Sequence, residues 1–181
     1  NILALRGDPP KDMAEMSKAF DFADGLVSYI KSSHPEFCIG VAGYPEMHPQ
    51  AVNTQAYIDN MKSQIDAGAE FIITQLFFDN EAFFRYRDTL SRHNVHVPLV
   101  AGIMPVVNYS QVVRFTQMCG TSIPAPLLKA IEIAPQGEVV KIGEEFAIKQ
   151  VQELKAQDVS GIHFYTLNKS PSVKNILTAL S

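Results

Sequence analysis

Asn1–Pro10 reads NILALRGDPP. Ile2, Leu3, Ala4 and Leu5 form the apolar run that a buried strand requires. Arg6, Gly7 and Asp8 follow at once, and Pro9 and Pro10 forbid further strand or helix. A charged pair and a glycine at the C-terminal tip of a buried parallel strand stand where α/β folds build their sites. The run opens the sequence with no initiator Met, signal peptide or leader strand, so the chain is expected to be part of a larger protein.

The same unit recurs downstream. Buried-strand runs are expected at Ile2–Leu5, Cys38–Ala42, Phe71–Gln75, Leu99–Ile103 and Ile162–Leu167. Amphipathic helices are expected near Ser17–Ser32, Thr54–Ala67, Asn80–His93, Ser110–Met118, Glu138–Gln157 and Val173–Leu180. The first would bury Phe20, Ala23, Val27 and Ile30 at three- and four-residue spacing. Thr54 is the expected N-cap of the second, and Asn108 or Ser110 of the fourth. Alternating βα units imply a parallel sheet with right-handed crossovers. Strand spacing of roughly 30 residues suits a (β/α)8 barrel. Five strands cannot close one, so the sheet is either open and doubly wound or a barrel with three strands upstream. Gly120–Gln136 is long for a connection. Its three prolines, Pro124, Pro126 and Pro135, point to an excursion with a short helix at Ala125–Ile131.

Composition narrows the function classes. The 181 residues carry a net charge of −4 and are 46% hydrophobic, which suits a globular domain with one sizeable core. No basic run suggests nucleic acid, and no apolar run has the length of a membrane span. Cys38 and Cys119 sit inside a strand-like and a helix-like segment and read as buried free thiols, which fits a reducing, cytoplasmic setting.

If the strands share one mouth, their ends present Arg6, Gly7 and Asp8; Gly43, Tyr44, Pro45, Glu46 and His48; Thr74 and Gln75; Met104, Pro105 and Asn108; and Tyr165, Thr166, Asn168 and Lys169. There is no zinc-spaced Cys/His set, no Gly-x-Ser-x-Gly elbow, and neither a Walker A nor a Gly-x-Gly-x-x-Gly loop. Amides and aromatics without a nucleophile suit a planar heteroaromatic ligand. Structural readings stand beside these. Phe77 and Phe78 read as packing residues and His163 as a core residue. Tyr44 reads equally as a turn aromatic, and Arg6 with Asp8 as an ion pair. Gln75 differs, because an amide closing the apolar run FIIT costs stability unless it has partners.

Taken together, LALRGDPP, VAGYPEMHPQA, DAGAEFIITQLFFD, AGIMPVVNY and HFYTLN resemble methylenetetrahydrofolate reductase, in that order and over nearly the whole chain. The resemblance implies a (β/α)8 TIM barrel, with residues 1–181 a single domain covering about strands four to eight. It implies FAD as cofactor and NADH or NADPH as hydride donor. The implied reaction reduces 5,10-methylenetetrahydrofolate to 5-methyltetrahydrofolate by ping-pong hydride transfer. It implies that Arg6, Gly7 and Asp8 form the flavin loop, with the Asp8 carboxylate favouring hydride donation electrostatically. Phe22, Ala23, Tyr44, His48, Ala51 and Asn60 match other FAD-contacting positions. Gln75 matches the amide that binds the folate pterin, and Gln111 and Phe115, at i and i+4, match the substrate side. Lys169 stands where an Arg is familiar and keeps the charge without the planar fork.

Three departures carry expectations. Tyr57 and Gln64 stand where relatives often have Asp and Lys near the FAD diphosphate, which predicts weaker FAD retention unless Lys62 compensates. The family's general-acid Glu lies on the first strand, outside this sequence, so the isolated chain is expected to be inactive. Glu46 and Glu70 are the nearby carboxylates of the right type. A partner segment supplying strands one to three, a homo-oligomer through exposed helices and a downstream regulatory domain remain open. Two other readings also stay open: a pterin-binding barrel transferase without flavin, and a non-catalytic barrel fragment.

Overall fold

The computed structural model describes residues 1–5, 20, 22–48, 51–135 and 137–181. Five strands form one parallel sheet: β1 (Ile2–Ala4), β2 (Ile39–Gly43), β3 (Phe71–Thr74), β4 (Leu99–Ile103) and β5 (Gly161–Phe164). Their order in the sheet is their order in the chain. The register runs Ala4↔Val41, Gly43↔Thr74, Ile72↔Leu99 and Ile103↔Phe164. A doubly wound sheet reverses its strand order at a switch point. This sheet has no reversal, so of the two expected architectures it matches the partial barrel.

The helices are α1 (Ala23–Ser33), α2 (Thr54–Asp66), α3 (Asn80–Arg92), α4 (Tyr109–Cys119), α5 (Ala125–Ile133), α6 (Glu138–Ala156) and α7 (Pro171–Leu180). Several expectations need correction. Phe22 precedes α1 in extended conformation rather than lying in it, and residues 6–19 fall outside the described set. Asn53, not Thr54, caps α2, its side chain accepting from Ala56 N–H. Both types cap well, so only the backbone could choose. Asn108 caps α4 through Gln111 N–H, as one alternative held. The last strand stops at Phe164, because Leu167 and Asn168 turn the chain with φ of 49° and 62°. The short helix between Gly120 and Gln136 is present as α5. Cys38 and Cys119 are only half-buried.

Two apolar clusters hold these elements. The larger joins Val41, Ile72 and Ala101 in the strands to Val27, Ile58, Phe83 and Leu154 in the helices. A parallel sheet needs such cover, because its crossovers lay helices on its faces. The smaller cluster lies beyond the strand ends, where Leu76, Phe78, Met104 and Val106 meet Val112, Leu127 and Ile131. It seats α4 and α5 on the C-terminal edge of the sheet. Phe77 and Phe78 are packing residues, as read, with Phe77 stacked on Phe83 at 5.3 Å.

Helix α6 reaches that edge through Gly143. A methyl group there would stand 1.9 Å from the Val106 carbonyl oxygen. In a helix interior Ala is worth about 1 kcal/mol more than Gly. Overpacking against backbone costs about 3 kcal/mol, so the clash wins. Gly143→Ala is expected to lower stability by about 2 kcal/mol in urea unfolding, whereas a stabilised variant would mean that α6 does not approach β4 this closely.

Candidate functional site

All five strands point their C-terminal ends the same way, so the loops after them converge. An open cleft of about 1140 Å³ lies between the β4–α4 loop, α4 and the β5–α7 loop. Gln111, Phe115 and Lys169, three of the four expected substrate residues, line it. So does Arg114, which the sequence reading left without a role. Its signal was helical spacing: residues 111, 114 and 115 share one face. Among the described residues, the wall holds two cations and no carboxylate. A ligand with an aromatic part and an anionic part matches that chemistry. Leu167, also on the wall, is 45% exposed and held at φ 49°. That left-handed conformation costs an L-residue about 1 kcal/mol, and such cost gathers at functional sites.

Gln75 is not on the wall of this cleft. It is half-buried at the tip of β3, where its Oε1 accepts from Leu76 N–H at 2.9 Å. This internal bond satisfies the acceptor half of the amide and leaves its NH2 for a ligand.

The second expected group gathers after β2. Tyr44 and His48 meet edge to face at 4.5 Å, and Ala51 N–H donates to His48 C=O at 2.9 Å. Ser63 Oγ donates to Asp24 Oδ2 at 2.6 Å, which fastens α2 to the start of α1. Phe22 and Ala23 immediately precede Asp24 at that junction, and Asn60 lies one turn before Ser63 on α2. Arg6, Gly7 and Asp8 lie outside the described residues.

Tyr57 has partners inside the fold. Its hydroxyl accepts from Tyr44 N–H at 2.7 Å and donates to Tyr86 Oη at 2.8 Å. Tyr57 therefore faces inward and holds the Tyr44 backbone. Gln64 is occupied too, its Nε2 donating to Asn60 C=O at 3.2 Å.

The two carboxylates also separate. Glu70 precedes β3, at the edge opposite the mouth. There Lys31 Nζ binds it at 2.5 Å and holds its carboxyl below the usual range. Glu46 is at the mouth, where its Oε2 accepts from Ser122 N–H at 3.0 Å and from Ser122 Oγ. Thr121 Oγ1 donates to Leu76 C=O at 3.0 Å. Together these bonds tie the end of α4 to the tips of β2 and β3. No group of three or more His, Cys, Asp and Glu able to hold a metal occurs among the described residues. No described helix is long and apolar enough to cross a membrane.

Comparison with known proteins gives the setting. The family model for methylenetetrahydrofolate reductase matches residues 1–181. Methylenetetrahydrofolate reductase (NADH) 1 of Arabidopsis thaliana is 37% identical, over 99% of this chain and 33% of its own length. Methylenetetrahydrofolate reductase 2 of Saccharomyces cerevisiae is 38% identical, over 100% and 32%. 5,10-Methylenetetrahydrofolate reductase of Buchnera aphidicola subsp. Schizaphis graminum is 38% identical, over 97% and 60%. The chain thus spans about a third of the eukaryotic relatives' length. Among solved structures, a protein from Clostridium thermocellum that binds two copies of 5-methyl-5,6,7,8-tetrahydrofolic acid shares the fold. Its TM-score is 0.56 at 16% identity, over 86% of this chain and 57% of that one.

Burial raises the pKa of three tyrosines, Tyr57, Tyr86 and Tyr165, the last to about 12. The unfolded chain releases these protons near pH 10. Their contribution to stability is whole below that pH and falls as pH rises above it. The slope is about 1.4 kcal/mol per pH unit for each tyrosine. Tyr165 ceases to add to the decline near pH 12, where its folded form titrates. Tyr57→Phe is expected to cost about 1 kcal/mol at neutral pH, by removing the buried hydroxyl that links Tyr44 N–H to Tyr86. It should also remove one tyrosine's share of the alkaline slope. Urea midpoints measured from neutral pH to pH 12 check both, and an unaltered slope would place Tyr57 in solvent.

Proposed function

Because the chain belongs to the methylenetetrahydrofolate reductase family, we propose that residues 1–181 form one domain comprising strands four to eight of a (β/α)8 reductase barrel. The whole enzyme then reduces 5,10-methylenetetrahydrofolate to 5-methyltetrahydrofolate, with NADH or NADPH as donor, by a ping-pong cycle through one shared pocket. The cleft carries this reading. One face of α4 offers an amide and a ring, Gln111 and Phe115, and the β5–α7 loop adds Lys169. Phe115 stacks on the ligand's aromatic part, Gln111 hydrogen-bonds its heteroatoms, and Lys169 with Arg114 meets its carboxylates; a ligand that extends past the wall formed by Tyr165 meets the Gln75 amide.

The residues after β2 fit FAD. Tyr44 and His48 offer an aromatic pair, Asn60 an exposed amide, and Phe22 an apolar face that is 53% exposed. FAD, when bound, supplies hydride transfer between the two substrates. Asp8 acts on that transfer by its charge. Neither Tyr57 nor Gln64 offers the diphosphate a cation, so its attraction falls to Lys62 or to groups beyond these residues.

The general acid comes from chain outside residues 1–181. Glu70 is paired with Lys31 at the far edge. Glu46 gives Oε2 to Ser122, while its Oε1 is buried without a hydrogen-bond partner among the described residues. The family pattern puts the acid on the first strand, so the segment alone is expected not to turn over.

The full-length protein is expected to be yellow, to bleach anaerobically with NADH or NADPH, and to regain colour with methylenetetrahydrofolate. A colourless protein that takes up no FAD but binds folate would replace this reading with a flavin-free pterin transferase. Lys169→Ala is expected to raise the folate Kd roughly tenfold, the value of one charge-assisted hydrogen bond. An unchanged Kd would remove Lys169 from the site.

A further inference from the structure

The peptide that carries Gln75 is held at both ends. Strands β2 and β3 stay paired as far as Gly43↔Thr74, and Gln75 N–H then donates to Gly43 C=O at 2.6 Å. On its other side β3 pairs with β4 through Ile72↔Leu99 and Ile73↔Val100. Side chains take over beyond Ile73. Gly102 N–H donates to Thr74 Oγ1 at 2.8 Å. The Thr74 carbonyl, the other half of the Thr74–Gln75 peptide, accepts from Tyr165 O–H at 2.9 Å.

Tyr165 follows β5, two strands away, and reaches Thr74 by crossing β4. Gly102 makes the crossing possible. A Cβ there would stand 2.1 Å from Thr74 O and 2.8 Å from Tyr165 Cε2. The crossing is braced at its origin, where Tyr165 N–H donates to Ile103 C=O at 2.8 Å. His163 packs edge-on against the Tyr165 ring at 4.9 Å. Burial keeps the phenol protonated through the physiological range, so it stays a donor.

We propose that Tyr165 is a positioning residue: reaching across Gly102, it pins the Thr74–Gln75 peptide and so sets the Gln75 amide for its ligand. The inference rests on the reading above, in which Gln75 binds the folate. Tyr165 acts through the carbonyl of residue 74, and its ring closes the adjacent cleft wall.

Full-length Y165F, Q75A and the double variant test this. Y165F keeps the ring and deletes the donor. It is expected to raise the Kd for 5-methyltetrahydrofolate about tenfold, the worth of one buried hydrogen bond. In the Q75A background it should cost nothing more, because the effect passes through Gln75. Amide hydrogen exchange gives a readout independent of function: Y165F should speed exchange at Gln75 and not at Ile72, one turn of the ladder below. Equal acceleration at both sites would make Tyr165 a general stabiliser and overturn the proposal. So would a full tenfold loss in the Q75A background, which means direct contact with the ligand. A wild-type protein that binds no folate would defeat the functional reading alone, since exchange at Gln75 would still decide whether Tyr165 pins that peptide.

Discussion

A parallel ladder in chain order is the constraint on which everything else rests. Parallel neighbours cannot be joined by a tight hairpin, so each strand must return through a crossover over the sheet. The crossovers bury the sheet, and Val41, Ile72 and Ala101 are fully sequestered as a result. They also bring every strand's C-terminal end to one edge. Residues separated by more than 150 positions in the sequence therefore face a common region. The site is a consequence of connectivity before any particular side chain is considered.

What that edge holds is decided by polar groups that must find partners away from water. A buried donor or acceptor left alone costs about 1–3 kcal/mol, so each pairing here has structural force. Tyr57 and Tyr86 lie under the loop after β2 and hold Tyr44 N–H. Thr121 and Ser122 fasten the end of α4 to the tips of β3 and β2. Tyr165 and Thr74 replace the backbone ladder where β3 and β4 part. Beneath α4 the small apolar cluster supplies a seat. The face bearing Gln111 and Phe115 is thus oriented from two directions, by packing below and by hydrogen bonds at its end.

The chemistry offered is that of orientation and charge rather than of a nucleophile. Among the described residues the wall offers amides, two rings and two cations without a carboxylate, groups that arrange a ligand and do not attack it. Such a pocket suits hydride transfer, in which the cofactor does the bond-making and the protein governs alignment and electrostatics. Of the two carboxylates that invited a proton-transfer role, Glu70 is held by Lys31 at the far edge, and Glu46 holds Ser122 at the mouth through Oε2 alone.

Strands and helices were legible because apolar periodicity is local: Leu99–Ile103 is a strand and Asn108 a cap for reasons contained within a few residues. Gln111 and Phe115 were singled out by the family resemblance, and helical spacing adds only that the two share one face. Residue order also fixed Glu70 as the residue before β3, yet its engagement with Lys31, 39 positions earlier, is a tertiary fact. So is the inward turn of Tyr57, whose partners come from a different strand end and a different helix. Tyr165 is the clearest case. Its type and its place after β5 stand in the sequence, but its reach to Thr74 depends on a missing Cβ at Gly102 on the strand between. Local pattern determined which elements form and which way their faces point. Long-range packing alone decided which polar groups met, because hydrogen bonds across strands depend on register and close approach that no neighbouring residue encodes.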